Sequence, residues 1–427
     1  MVSVTARQTF VIVGAGLAAG RAVQELRESG FEGQIVLYGA EGHPPYERPP
    51  LSKGYLMGND HFESVAVQAL EWYRHRDIDL RLSTSVTAID PASRSVTTDA
   101  GRQPYDKLLL ATGARPRRLS IADESDAPVT YLRTIEDADR VKSLLRLGGR
   151  LVIVGGGWIG LEVAAAARAS GTHVTVLETL DLPLVRVLGP EVAGIFASLH
   201  RAHGVDLRCG TRVSSIVGDS GAAIVRLEDG TSLEADLVVV GIGVIPDDAL
   251  GGAAGLRTNN GIVVDQQLRT SDIDIFAAGD VANAYHPLLG RHLRVEHWDN
   301  AIGQGVVAAQ NMLGKSVPYG RLPYFFSDQY DLGVEYFGNV GPDGYDQVVI
   351  RGKPDDGTFT ALWLRGSGVL AGMHANDWDA MDSIRKIVGS DHRRGDLRDQ
   401  SLSLAQIAAA PTKHRLAGSP VGSDIRT

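Results

Sequence analysis

Two short glycine clusters carry the chemistry that reads most directly from this sequence. Gly14, Gly16 and Ala19 fill the three slots of a G-x-G-x-x-G/A turn in GAGLAAG, and Gly155, Gly157 and Gly160 fill the same slots in GGGWIG. Such a turn between a strand and a helix presents free backbone N–H groups and the positive end of the helix dipole to a pyrophosphate. The first glycine permits the tight turn, and the second lets the phosphates approach the backbone. An acid after the second strand accepts hydrogen bonds from a ribose. Glu178 stands directly at the end of THVTVLE, whereas in the first copy the strand ends at Gly39 and the acid, Glu41, follows two residues later. A glycine cluster alone fits an ordinary strand–turn–helix corner. The apolar run before each cluster, the helical stretch after it and the acid in range make each a dinucleotide site.

Two dinucleotide sites in one chain point to electron transfer between two cofactors, of which a flavin with a nicotinamide is the usual pair. A carboxylate at Glu178 suits a free ribose 2′-OH and repels a 2′-phosphate, so NADH is expected, with Arg186 a few residues on as a complication.

The surrounding elements repeat in order. Phe10–Val13, a helix over Arg21–Ser29 and Ile35–Tyr38 form the first βαβ unit. A proline-rich stretch, HPPYERPPLSKGYLMGN, reads as a stiff loop whose polar residues are Arg48, Ser52 and Lys53, and residues 65–76 read as a helix. A hairpin around Asp99–Gly101 and a buried strand Leu108–Leu110 follow, ending in Ala111-Thr112-Gly113. The programme then recurs: strand 150–154, an alanine-rich helix to Arg168, strand 172–178, a second hairpin region, and DLVVVGIGVIP at 236–246. DLRCGTRVSSI at 206–216 parallels DLRLSTSVTAI at 79–89, so the chain contains a duplicated nucleotide-binding domain. That alignment sets Cys209 against Leu82 and predicts a buried strand position for it, a reactive thiol being the lesser alternative. Ile273–Ala278 is strand-like, and a helix starts near Asp299. Strands at Gly333–Asn339, Phe359–Leu364 and Val369–His374, with a helix at Trp378–Val388, indicate a third, α+β domain. The tail from Pro411 lacks periodicity and is expected to be disordered.

Composition sets the bounds. The chain has 427 residues, 44% hydrophobic and 22% charged, as in globular proteins with two or three domains. A net charge of −9 argues against general nucleic-acid binding. One cysteine excludes a Cys-x-x-Cys redox pair and an internal disulfide framework, and fits a cytoplasmic setting. The first ten residues carry no apolar signal core, and no apolar run approaches a membrane span.

At this point the sequence resembles the FAD-dependent pyridine-nucleotide oxidoreductases, and within them the ferredoxin (redoxin) reductases that feed bacterial haem monooxygenases and ring-hydroxylating dioxygenases. The likeness runs from Thr9 to about Gly389. It is carried by GAGLAAG, RPPLSK (48–53), LLLATGARP (108–116), YLRT (131–134), GGGWIGLE (155–162), VVVGIGVIP (238–246), FAAGD (276–280), VEHWDNA (295–301) and PYFFSDQYD (323–331). It implies a glutathione-reductase-like α/β fold: an FAD domain of residues 1–117 and 247–325, an NADH domain of 118–246, and an α+β domain of 326–410 ahead of the tail 411–427.

The resemblance also implies roles. Gly14, Gly16, Ala19, Glu41, Ala111, Thr112, Gly113, Asp280 and Glu296 would hold FAD, with Arg48, Lys53 and Trp298 lining the flavin. Gly155, Gly157, Gly160, Glu178 and Gly243 would hold NADH, with Glu162 beside the nicotinamide. Lys53, Glu162 and Trp298 would act at the reacting rings. Bland alternatives stand for several: helix capping for Asp280, dipole compensation in a first helical turn for Glu162, and core packing for Trp298. Thiol chemistry is poorly supported, because neither the helix after the first turn nor the RPPLSK loop holds a cysteine.

The implied activity is hydride transfer from NADH to FAD, then single electrons to a separate [2Fe–2S] ferredoxin, since the chain has too few cysteines for its own cluster. Redoxins are usually acidic, and Arg291, Arg294, Arg385, Lys386, Arg393 and Arg394 are candidates for a basic docking face, scattered solvated charges being the alternative. An NADH oxidase or quinone reductase of the same fold, or a slowly reduced redox-sensing flavoprotein, are the competing readings.

Overall fold

A computed structural model describes residues 7–147 and 149–414. It is an α/β protein with two similarly ordered parallel sheets and a third, antiparallel one. In the first sheet the order is Ile275–Ala277, Lys107–Leu110, Thr9–Val13, Gln34–Tyr38 and Ile78–Arg81, all parallel. The second runs Val129–Thr130, Leu237–Val240, Arg150–Val154, His173–Leu177 and Asp206–Arg208, also parallel. Four strands correspond one to one. The fifth comes from after the second copy in one sheet and from before it in the other, so the chain leaves the first unit and returns to it.

These strands are continuous apolar runs because both faces are covered, in the second sheet by helices on one side and by the antiparallel strands 213–235 on the other; Val11, Ile12, Ile153 and Val239 are fully buried. Each sheet carries a three-stranded antiparallel appendage, 88–104 and 213–235, and the strands Ala114–Pro116 and Val244–Pro246 pair to tie the two copies together. Helix Trp298–Met312 lies so close to helix Leu17–Glu28 that a Cβ on Gly305 would sit 2.3 Å from the Ala18 carbonyl oxygen.

The third sheet runs Tyr324–Gln329, Leu332–Gly338, Gly368–Ala375, Thr358–Arg365, Gln347–Lys353. Two of its strands, 324–329 and 347–353, went unread in the sequence. Both mix polar and apolar residues.

Several local expectations need correction. The helix expected over 65–76 is two short helices, Phe62–Val65 and Leu70–His75. Ala66 turns extended between them, bridging Tyr46, while Val67 N–H bonds the Pro45 carbonyl at 2.8 Å. The proline-rich loop is partly helical, with a 3-10 turn at Pro49–Ser52 and an α-turn at Gly54–Met57, because proline is tolerated at the start of a helix. The helix expected from Trp378 begins at Met381, and Trp378 is exposed. Cys209 lies one residue past its strand and is only partly buried; burial pushes its thiol up. Of the tail expected to be disordered, Lys413–His414 instead pairs with Ser390–Asp391, and 415–427 lie outside the described residues. Among the described residues no helix is long and apolar enough to cross a membrane.

Candidate functional site

The two glycine turns occupy equivalent positions at the strand ends. Gly14 (φ 102°) and Gly155 (φ 111°) each take a left-handed backbone, and a Cβ there would meet the Ala111 carbonyl oxygen at 2.2 Å and that of Gly241 at 2.4 Å. The fold itself therefore requires these two glycines. Gly16 and Gly157 are different. They cap the helices Leu17–Glu28 and Trp158–Ala169 in ordinary extended backbone, and a Cβ on either meets nothing within 4 Å. Nothing in the protein demands glycine there, but a pyrophosphate lying against the helix N-terminus does. Ala19 is fully buried, and Gly160 packs against the Gly155 carbonyl.

Around the first turn, Glu41 does not face open solvent. Its carboxylate accepts from Arg48 Nη2 at 2.7 Å and from the Tyr46 hydroxyl at 2.5 Å, while Arg48 also donates to the Arg133 carbonyl at 2.5 Å. Asp280 pairs with Arg133 at 3.1 Å, and its side chain caps no helix. Glu296 pairs with Arg294 at 2.6 Å. Thr112 Oγ1 donates to the Asp247 carbonyl at 2.6 Å, and the Gly113 carbonyl accepts from Asp247 N–H at 2.9 Å, clamping the loop after strand Lys107–Leu110 to the end of strand Val244–Pro246. Ala111 lies against Gly14. Gly243 (φ 98°) accepts from Arg117 N–H at 2.9 Å. At the second turn, Glu178 accepts from Gly156 N–H at 2.8 Å, which sets its carboxylate against the glycine loop.

Lys53 and Glu162 meet between the two turns. Lys53 Nζ lies 2.7 Å from Glu162 Oε1, both side chains largely buried. Glu162 also accepts from Ser52 at 2.5 Å and Ser327 at 2.6 Å. It is the fifth residue of its helix, beyond the first turn, so the dipole-compensation alternative loses to a built ion pair. Phe326 joins Trp298 to the cluster: Lys53 Nζ lies 5.4 Å from the Phe326 ring centre, and the Phe326 and Trp298 rings meet edge to face at 6.1 Å. Trp298 Nε1 and His297 Nδ1 are buried without a hydrogen-bond partner among the described residues. Orphaned donors and acceptors beside an aromatic cluster fit a polar ring system such as a flavin.

Sequence reading missed Ser52, Ser327 and Arg133 as functional side chains, although all three fall inside the motifs it singled out. Gln304 was missed altogether; it orients the FAAGD loop by accepting from Gly279 N–H at 2.9 Å. Of the proposed basic face, Arg294 is withdrawn: its side chain is 10% exposed, and it holds Glu296 and the Asp280 carbonyl. Arg291 bonds Asn339 and Arg394 pairs with Asp346. Arg385 lies over Tyr324 and Phe337. Lys386 and Arg393 are exposed.

Comparison with known proteins agrees with this geometry. The family model described as pyridine nucleotide-disulphide oxidoreductase matches residues 8–305, and one described as reductase C-terminal matches 324–408. The anthranilate 1,2-dioxygenase system ferredoxin–NAD(+) reductase component of Burkholderia cepacia is 42% identical, covering 89% of this chain and 94% of its own. Putidaredoxin reductase of Pseudomonas putida is 40% identical over 95% of this chain and 98% of its own. Among solved structures, the covalent putidaredoxin reductase–putidaredoxin complex superposes with a TM-score of 0.89 at 39% identity, covering 95% of this chain and 99% of that one. The chain belongs to the pyridine nucleotide-disulphide oxidoreductase family, whose members work with a flavin and a pyridine nucleotide.

Proposed function

We propose that this protein is an NADH-dependent reductase that passes electrons through FAD to a small [2Fe–2S] ferredoxin, which in turn serves a haem monooxygenase or a ring-hydroxylating oxygenase. The observation that carries the reading is the buried Lys53–Glu162 pair, set between two complete dinucleotide turns in a chain about 40% identical to ferredoxin reductases over nearly its whole length. A cytoplasmic location fits the single cysteine.

Residues 1–117 with 247–325 are assigned to FAD, 118–246 to NADH, and 326–410 to the docking side. Gly14 and Gly16 would receive the FAD pyrophosphate, Glu41 the adenosine ribose, and Asp280 the ribityl or pyrophosphate end. Ala19 and Ala111–Gly113 would shape the cradle, with Glu296 at its edge. Gly155, Gly157 and Gly160 would receive the NADH pyrophosphate, Glu178 the ribose, and Gly243 the near wall of the nicotinamide. Bound flavin supplies the conversion between a two-electron donor and a one-electron acceptor. Lys53 supplies a fixed cation where negative charge develops on the reduced ring. Glu162 anchors Lys53, and Arg48 is anchored by Glu41. Trp298 and Phe326 exclude water. No side chain has to give or take a proton for hydride transfer. Lys386 and Arg393 offer exposed positive charge for steering an acidic redoxin.

Anaerobic stopped-flow with NADH, followed by a [2Fe–2S] ferredoxin, tests the proposal. Fast loss of flavin absorbance and rapid ferredoxin reduction are expected. Fast loss with electrons reaching only oxygen or quinone would make the chain an oxidase or quinone reductase. Slow loss with a persistent long-wavelength band would make it a redox sensor.

A further inference from the structure

Behind Glu162 a row of buried polar side chains leads away to another element. Ser327 donates to Glu162 at 2.6 Å; Gln329 Nε2 donates to Ser327 Oγ at 3.2 Å. Gln329 Oε1 faces His200 Nε2 at 2.8 Å, and His200 Nδ1 faces the Tyr330 hydroxyl at 3.2 Å. Ser327, Gln329 and His200 are almost wholly buried. Ser327 and Gln329 lie on strand Tyr324–Gln329, and His200 on helix Val185–Ala202 of the second unit. The row thus joins two helices of the second unit through a strand of the third sheet.

The chemistry of each link fixes its direction. An ionised Glu162 only accepts, so Ser327 must spend its proton on it. The Ser327 oxygen then needs a donor, which is the amide nitrogen of Gln329. That orientation turns the Gln329 oxygen toward His200, which must be protonated at Nε2. His200 Nδ1 is left to accept from the Tyr330 hydroxyl. Every donor points inward, toward Glu162. Burial holds His200 neutral, its pKa pushed down from 6.5 to about 4.

A second observation marks the outer end as built. Tyr330 takes a left-handed backbone (φ 58°) in the two-residue turn before strand Leu332–Gly338, a position that suits glycine or asparagine. The tyrosine is held there by its bond to His200 and by stacking on His203, with ring centres 3.7 Å apart.

We infer that Tyr330, His200, Gln329 and Ser327 form a positioning relay that holds the Glu162 carboxylate, and through it Lys53, in the geometry needed for hydride transfer. The inference rests on the proposed placement of Lys53 and Glu162 where nicotinamide meets flavin. Because each link sets the donor–acceptor polarity of the next, the state of Glu162 selects the tautomer of His200. A hydrophobic contact between the two elements would transmit nothing of this kind. An amide link conducts protons poorly, so the relay orients and does not transport.

The test uses the full-length, flavin-loaded protein labelled with ¹⁵N-histidine, the His200 signals being assigned by their loss in His200→Asn. A neutral, Nε2-protonated His200 is expected at pH 7. Glu162→Gln, whose amide can donate back to Ser327, should shift His200 toward a mixture of tautomers. The same substitution made on top of Gln329→Met should no longer move it. In stopped-flow, Gln329→Met should lower the limiting rate of flavin reduction by NADH up to about tenfold, the scale of one lost hydrogen bond between neutral groups. Should Gln329→Met not fold, Tyr330→Phe serves, since it keeps the ring stack and frees Nδ1; His200 should stay protonated at Nε2, because Gln329 Oε1 still faces it, and Glu162→Gln added to it should still shift the tautomer. His200 signals indifferent to Glu162, an Nδ1-protonated His200, or a Gln329→Met protein that melts earlier with an unchanged limiting rate would each overturn the inference. A wild-type protein that NADH does not reduce would instead sink the reductase reading, and the NMR arm would still decide the relay.

Discussion

Lys53 Nζ and Glu162 Oε1 lie 2.7 Å apart, although Lys53 follows a proline-rich turn of the first unit and Glu162 sits on the helix of the second glycine turn. The pair is one link between the two glycine-turn units, beside the paired strands Ala114–Pro116 and Val244–Pro246. Its side chains are 13% and 6% exposed, so both charges depend on each other and on Ser52 and Ser327.

Lys53→Met should destabilise the protein by about 3 kcal/mol, the low end of the cost of leaving a buried charge unpaired, because two serine donors remain on Glu162. Adding Glu162→Leu should recover most of that loss while abolishing fast flavin reduction. Urea denaturation of the loaded proteins measures the first effect and stopped-flow the second. A double variant less stable than Lys53→Met alone would contradict the account.

Gly16→Ala and Gly14→Ala should part company. A Cβ at Gly16 meets open space in extended backbone, so the thermal midpoint of the flavin-stripped protein should hardly move. Flavin affinity should fall by about 10- to 100-fold as the phosphate loses one backbone hydrogen bond. Gly14→Ala forces a Cβ against the Ala111 carbonyl and should prevent folding. Fluorescence titration with flavin and thermal scans make the comparison.

Stability should decline in mild acid on account of His200. Its ordinary value of 6.5 falls to about 4 in the folded protein because burial penalises the charged ring. Below pH 6.5 the unfolded chain takes up a proton that the folded protein refuses, so stability falls from pH 6.5 down to about 4. The loss from this one group is about 3 kcal/mol at most. His200→Gln should lessen the slope of urea midpoint against pH across that window, and His297, lowered to about 4 by burial in the same way, keeps part of it. An unchanged slope would show that other groups control acid sensitivity.

Glu178→Gln should relax the choice of nicotinamide cofactor. Its carboxylate accepts from Gly156 N–H at 2.8 Å, at the edge of the second glycine turn, where it would repel a 2′-phosphate. The ratio of kcat/KM for NADPH to that for NADH should rise about tenfold, worth about 1.4 kcal/mol. An unchanged ratio would move the ribose site away from Glu178.

Much of the architecture is legible in the sequence. The duplication was readable because a parallel strand buried on both faces is a short apolar run, and each such run ends in the same glycine turn. The equivalence of Cys209 and Leu82 survives in the structure, since each follows its strand by one residue. Short segments misled where tertiary hydrogen bonds overrode local periodicity, as at Ala66. The strand Tyr324–Gln329 hid because its polar residues, Ser327 and Gln329, face buried partners rather than water.

By itself the sequence determined the two glycine turns, their order, the acid at Glu178 and the lack of a second cysteine, because these depend on neighbours along the chain. Only the tertiary structure decided which glycines serve the fold and which face open space, that Arg294 is buried against Glu296, and that Ser52, Ser327 and Lys53 converge on Glu162. Those facts depend on distances between residues far apart in the chain, which side-chain packing and burial fix and local pattern does not record.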